Sequence, residues 1–198
     1  MFKSTALLVI AVLTFGGANA DAQDKTAVRP ASPWQLVVSS GSFIPTGAQR
    51  ADLGRGKVTA AQASYLARPG FAVTASFGWG RTRDVAAPDT PRLHVFTYDL
   101  GAELRAVRWL DGRHLSLTPF AGVGAGGRTY DYRGVTADAS HNVAGYASAG
   151  GEVGVGHLVT VRLEARDYVT RFKPLAGGGT SRARNDLMLV AGLRLGVR

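Results

Sequence analysis

The chain has 198 residues, with 23 Lys and Arg against 14 Asp and Glu for a formal net charge of +9, and a mean hydropathy of +0.03. That length suits one domain, and the hydropathy is too high for a disordered polyelectrolyte. With no cysteine in the sequence, a disulfide scaffold, a Cys-ligated zinc or iron-sulfur centre, a catalytic thiol and a lipid-modified cysteine are all excluded.

Met1 to Ala20 carries a basic start at Lys3, an apolar run from Ala6 to Phe15 and the small-residue ending Ala18-Asn19-Ala20, the pattern of a cleaved secretory signal. The apolar run is well short of the roughly 20 residues a spanning helix needs. The expected organisation is a signal peptide over 1–20, a flexible lead over 21–33 and one folded domain over 34–198. No later stretch approaches the length of a membrane helix, so a mature chain that spans a membrane must do so with strands.

From Trp34 onward the apolar period is two. The first hairpin, Trp34 to Ile44 and Val58 to Arg68, is blurred by Ser, Ala and Gln. The next strand is the clearest: Phe71, Val73, Ala75, Phe77 and Trp79 share one face, and Ala72, Thr74, Ser76, Gly78 and Gly80 the other. From His94 to Ala106 the alternation returns with a charged second face. Leu115 to Arg128 and Asn142 to Val155 are dominated by Gly and Ala. The segment from Val159 opposes Val161, Leu163 and Ala165 to Arg162, Glu164 and Arg166, and the final segment runs in alternation to Val197. These runs are longer than the 5 or 6 residues usual in soluble sheets and suit a tilted membrane strand of about 9 to 11.

The connections alternate in length. Arg68-Pro69-Gly70, Leu110-Asp111-Gly112-Arg113 and Gly156-His157 read as tight turns. Thr46 to Lys57, Arg81 to Arg92, Thr129 to His141 and Lys173 to Ala183 read as long polar loops. Eight strands so connected put both termini and the short turns on one side and the long loops on the other. The predicted fold is all-β: an eight-stranded antiparallel up-and-down transmembrane β-barrel.

In these features the segment from about Trp34 to Arg198 resembles the small eight-stranded outer-membrane β-barrels of the OmpA and OmpX type. The resemblance implies periplasmic short turns and extracellular long loops. It also implies interfacial aromatic girdles, with Trp34, Tyr65, Phe71 and Trp109 at the turn end and Trp79, Phe96 and Tyr98 at the loop end. Strict alternation turns Trp109 inward unless a bulge intervenes. Family members end their last strand on an aromatic residue read by the barrel assembly machinery, an expected partner; this sequence ends Gly196-Val197-Arg198. The implied location is the outer membrane of a Gram-negative-type bacterium, as a monomer.

The polar faces direct Asp99, Glu103, Arg105, Glu152, Arg162, Glu164, Arg166 and Arg194 into the lumen. A barrel of eight strands has an interior just wide enough for side chains, so these acids and bases are expected to pair as a structural plug rather than to line a channel. The glycines at 122, 124, 126 and 127 match Gly-x-Gly-x-x-Gly, but no helix pattern follows, so no nucleotide cofactor is expected. No metal-ligand spacing occurs, and no cofactor of any kind is expected. Arg50, Arg55, Lys57, Arg81, Arg83, Arg92, Arg128, Arg133, Arg171, Lys173, Arg182 and Arg184 gather at or beyond the loop-side rim. There Arg81, Arg83 and Arg92 are candidate contacts for lipopolysaccharide phosphates. Export argues against nucleic acid.

Of the four histidines, His114 and His157 fall in turns and His94 and His141 near the loops. Asp138, Ser140 and His141 put acid, hydroxyl and imidazole close in sequence, without the convergence nucleophilic catalysis needs. The expected function is a noncatalytic outer-membrane barrel with an envelope-structural or surface-interaction role through its four long loops. The alternatives are an outer-membrane enzyme acting on lipid A or another lipid, and a soluble lipocalin-like barrel, which would carry the same alternation inside out.

Overall fold

The computed structural model describes residues 32–106, 110–111, 115–155, 159–172 and 182–196. The signal segment, Trp109, His114, His157 and the last two residues lie outside the described residues. The strands are β1 Trp34–Thr46, β2 Gly56–Arg68, β3 Phe71–Arg83, β4 Arg92–Arg105, β5 Leu110–Asp111, β6 Leu115–Arg133, β7 Ser140–Val155, β8 Val159–Phe172 and β9 Arg182–Gly196. The two residues of β5 pair with Leu117 and Ser116 on the side of β6 that β4 occupies higher up, so Leu110 and Asp111 are strand rather than the turn expected of them. Eight long staves remain.

Each stave pairs antiparallel with its neighbour in sequence, and β1 pairs with β9, so the sheet closes. The ladder can be followed from Gln35 through Ser64, Thr74, Gly101, Gly124, Tyr146, Tyr168 and Asp186 back to β1, where it arrives at Pro45. The ten-residue offset between Gln35 and Pro45 is the barrel's shear. With a rise of about 3.3 Å per residue and strands about 4.8 Å apart, it tilts the staves by about 40° to the axis. Closure leaves the long staves without a free edge.

The pleat sends alternate residues in and out, and the outward face over the middle of the barrel is apolar. Leu100, Val123, Phe77 and Leu193 are 68%, 63%, 53% and 53% exposed. Trp34 and Tyr65 pack ring to ring at 5.0 Å at the turn end, beside Phe71, and Trp79, Phe96 and Tyr98 stand at the loop end. Phe71 and Trp79 lie on one stave eight residues apart, about 20 Å along the axis at that tilt. A lipid-facing band between aromatic girdles is about 25 Å tall, and the spacing here is a few Å short of that. Charges inside and apolar side chains outside are the reverse of what a soluble ligand-holding barrel requires.

Beyond Trp79 the pattern inverts. Phe43, Val58, Leu93, Val95, Tyr130 and Tyr132 point inward and form a buried apolar cluster with Leu53, Tyr146, Tyr168 and Met188. Outward positions there carry Arg81, Arg83, Arg92, Asp131 and Arg133. The first connection folds over this end as a short 3-10 turn, Gly47–Ala51. Gln49 and Leu53 are buried beneath it, Leu53 bridges to Asp84, and Asp52 pairs with Arg184.

Candidate functional site

Two groupings of polar side chains stand out, one inside the barrel and one on its loop-side rim. Inside, the barrel brings together the eight charged residues predicted to face the lumen, from β4, β7, β8 and β9. Arg162 is central: its Nη2 donates to Glu103 Oε2 at 2.5 Å and to Glu164 Oε2 at 3.0 Å, and its Nη1 to Glu152 Oε1 at 3.2 Å. Its guanidinium lies 3.6 Å from the centre of the Phe120 ring. Arg105 donates to Glu103 at 2.6 Å and to Gln35. Arg194 pairs with Glu152. Arg166 spans upward, donating to Glu164 at 2.8 Å, Gln62 at 2.9 Å and Ser76 at 2.9 Å, with Asp99 at 3.6 Å. Asp99 accepts from Tyr168 at 2.6 Å.

Four carboxylates thus meet four guanidiniums, and the network is neutral overall. Buried charge is tolerable only when paired and hydrogen-bonded, and the forked guanidinium satisfies two or three carboxylates at once. A cavity beside Arg162, Arg166 and Tyr168 has a volume of about 20 Å³, room for about one water.

A second pair lies above it. Arg128, expected at the outer rim, is fully buried and pairs with Asp186, also fully buried. Its guanidinium sits 4.2 Å from the Tyr168 ring centre and 5.7 Å from that of Phe43. The correction follows from parity: β6 continues to Arg133, so Arg128 shares the inward face of Gly122, Gly124 and Gly126. Arg184 is likewise mostly covered, by its pair with Asp52 and a 3.1 Å bond to the Ala48 carbonyl. The glycines have a packing role. A side chain at Gly124 would strike the Tyr146 ring, and one at Gly127 would strike Tyr98, its cross-strand partner on the lipid side.

On the rim, Ser140 and His141 face opposite sides of β7, so the sequence-adjacent acid, hydroxyl and imidazole do not converge. His141 Nδ1 instead lies 2.8 Å from Thr129 Oγ1, which lies 3.1 Å from the Tyr98 hydroxyl. Arg81, Arg83 and Arg92 are exposed on the outward faces of β3 and β4, and the Arg81 guanidinium lies over Trp79 at 4.8 Å.

No family model and no curated protein matches the sequence. Among solved structures, the barrel is similar to Neisserial surface protein A, with a TM-score of 0.61 at 13% identity over 85% of this chain and 99% of that one. The fold is that of the small outer-membrane β-barrels. The N-terminal barrel domain of Pseudomonas aeruginosa OprF aligns over 84% of this chain and 100% of that one at 10% identity and a TM-score of 0.48. Ail of Yersinia pestis aligns over 83% and 99% at 14% identity and a TM-score of 0.43.

Proposed function

We propose that the chain is a noncatalytic, integral outer-membrane protein that works through its outer surface and loop ends, with its barrel serving as a sealed support. One observation carries this reading: among the described residues the interior is occupied by two layers, the Arg162-centred network below and the apolar cluster around Arg128 and Asp186 above, under the first connection. A filled lumen offers neither a water path nor a ligand cavity, so binding specificity belongs to the outside. The apolar band between aromatic girdles supports insertion in a bilayer, and the likeness in fold to Neisserial surface protein A supports the outer membrane. The test is gel mobility of the protein from an outer-membrane fraction with and without boiling, followed by conductance in planar bilayers. The expected result is a heat-sensitive band without resolved channel openings. Recovery in the soluble periplasm, or regular conductance steps, would overturn the reading.

A second reading, an outer-membrane enzyme acting on lipid, is favoured by the Thr129–His141 hydrogen bond at the rim, since a hydroxyl beside an imidazole is the core of a nucleophilic acyl-transfer site. A change in lipid A mass on overproduction that disappears in His141→Ala would establish it, and an unchanged profile would remove it.

A further inference from the structure

The outward faces of β3, β4 and β6 form an ordered grid at the loop-side rim. Arg83 stands directly opposite Arg92, and Arg92 directly opposite Arg133. The row beneath is Arg81, His94 and Asp131, and the row beneath that is Trp79, Phe96 and Thr129. Like charges directly opposite on adjacent strands destabilise a sheet, yet here three guanidiniums are stacked across three staves. The single carboxylate of the grid, Asp131, is engaged by Arg133 at 3.0 Å, and among the described residues no acid pairs with Arg83 or Arg92. Such a row leaves unpaired guanidinium donors open to an anion from outside the chain.

Its height says which anion. Arg81 and Arg83 are two and four residues beyond Trp79 on the same stave, about 5 and 10 Å above the girdle at the barrel's tilt, so their long side chains reach from the headgroup layer to its outer edge. Below the arginines, Phe96 and Phe77 lie 6.3 Å apart on the lipid side and offer an apolar surface continuous with the cationic row. Phosphate oxygens suit forked guanidinium donors, and acyl chains suit the rings beneath.

We propose that Arg83, Arg92 and Arg133, with Arg81 above Trp79, form a binding site for the phosphate groups of a phosphorylated glycolipid of the outer leaflet, whose acyl chains lie against the aromatic residues below. The proposal rests on the bilayer-inserted reading above. Arg133 joins the site through strand register, although the sequence places it in a loop.

The test uses the full folded chain, floated with phosphatidylcholine vesicles containing a small fraction of either bisphosphorylated lipid A or the same lipid A with its phosphates removed. Tryptophan fluorescence, in a Trp34→Phe, Trp109→Phe background so that Trp79 alone reports, and co-purified lipid are the readouts. The phosphorylated form is expected to bind about tenfold more tightly than the dephosphorylated form. The triple variant Arg83→Gln, Arg92→Gln, Arg133→Gln should lose that preference while keeping its heat-sensitive gel mobility. Arg68→Gln with Arg171→Gln, which removes exposed cations at the turn end of β2 and on β8, should retain it. Equal binding of the two lipids by the wild-type chain overturns the site, as does a triple variant that still discriminates. A chain that floats with vesicles but ignores phosphate leaves bilayer insertion standing and removes this site alone. A chain that floats with no vesicle overturns both.

Discussion

Arg162 and Gly124 show how single positions hold this interior together. Arg162 contacts three carboxylates from three staves, so Arg162→Met leaves Glu103, Glu152 and Glu164 crowded around an apolar side chain. Breaking a buried ion network by removing one member costs about 3 to 5 kcal/mol. Urea titration of the protein folded in lipid vesicles should register a loss of that size, and adding Glu103→Gln should restore part of it, because members of one network are not additive. Gly124 yields a second prediction. A methyl group there meets both the Leu100 carbonyl and the Tyr146 ring, each at 2.5 Å, so Gly124→Ala should destabilise by about 1 to 3 kcal/mol in the same titration. Gly145→Ala, whose new Cβ would have the Gly124 carbonyl oxygen as its nearest neighbour at 3.8 Å, should stay within about 0.5 kcal/mol.

At the scale of elements, the staves outrun the bilayer. The sequence pattern ends β6 at Arg128, whereas the strand continues to Arg133. The reason is the change of solvent at the upper girdle. Within the bilayer the outward residues are apolar, and above it the outward residues are Thr129, Asp131 and Arg133 while Tyr130 and Tyr132 turn inward. The alternation keeps its period and exchanges its sides, so a reader following the apolar face sees a loop. The first connection is the other element with a definite role, since Leu53 and Gln49 are its buried anchors over the apolar cluster. Leu53→Asp removes an anchor whose burial is worth about 1.5 to 3 kcal/mol. Trypsin cleavage at the flanking Arg50 and Arg55 should then accelerate by about tenfold or more, because cutting follows the population of the opened loop. Unchanged cleavage would show that Leu53 is not what holds the connection down, leaving that to Gln49 and the Asp52–Arg184 pair.

For the whole molecule, the layered filling of the lumen determines what the barrel can transmit. Below lies a neutral set of four acids and four arginines, and above it an apolar plug containing Arg128 and Asp186. On the proposed reading the two layers together close the lumen. Removing the Arg128–Asp186 pair as Arg128→Met with Asp186→Leu should therefore keep the barrel folded and non-conducting, since a buried pair exchanged for apolar groups of similar volume is close to neutral. Heat-shift gels and planar bilayer recordings check both parts, and channel openings in the double variant would show that the pair is the seal.

The sequence by itself determined what depends on the pleat alone. Period-two runs, their length and the alternation of short and long connections specify an all-β barrel of eight staves. Strict parity along β4, β7, β8 and β9 also identifies the eight charges of the Arg162-centred network, because each strand displays its two faces without reference to any other. What only the tertiary structure decided is everything that depends on closure. The ten-residue shear sets which stave's acid meets which stave's arginine, and it links Glu103 to Arg162 across 59 positions. The added length of β6 takes Arg128 from a supposed surface cation to the inward face, where the closed sheet supplies Asp186 as its partner, and the register of β3, β4 and β6 lines up Arg83, Arg92 and Arg133 in one row. Register around a closed sheet belongs to all the staves together, and no single strand contains it.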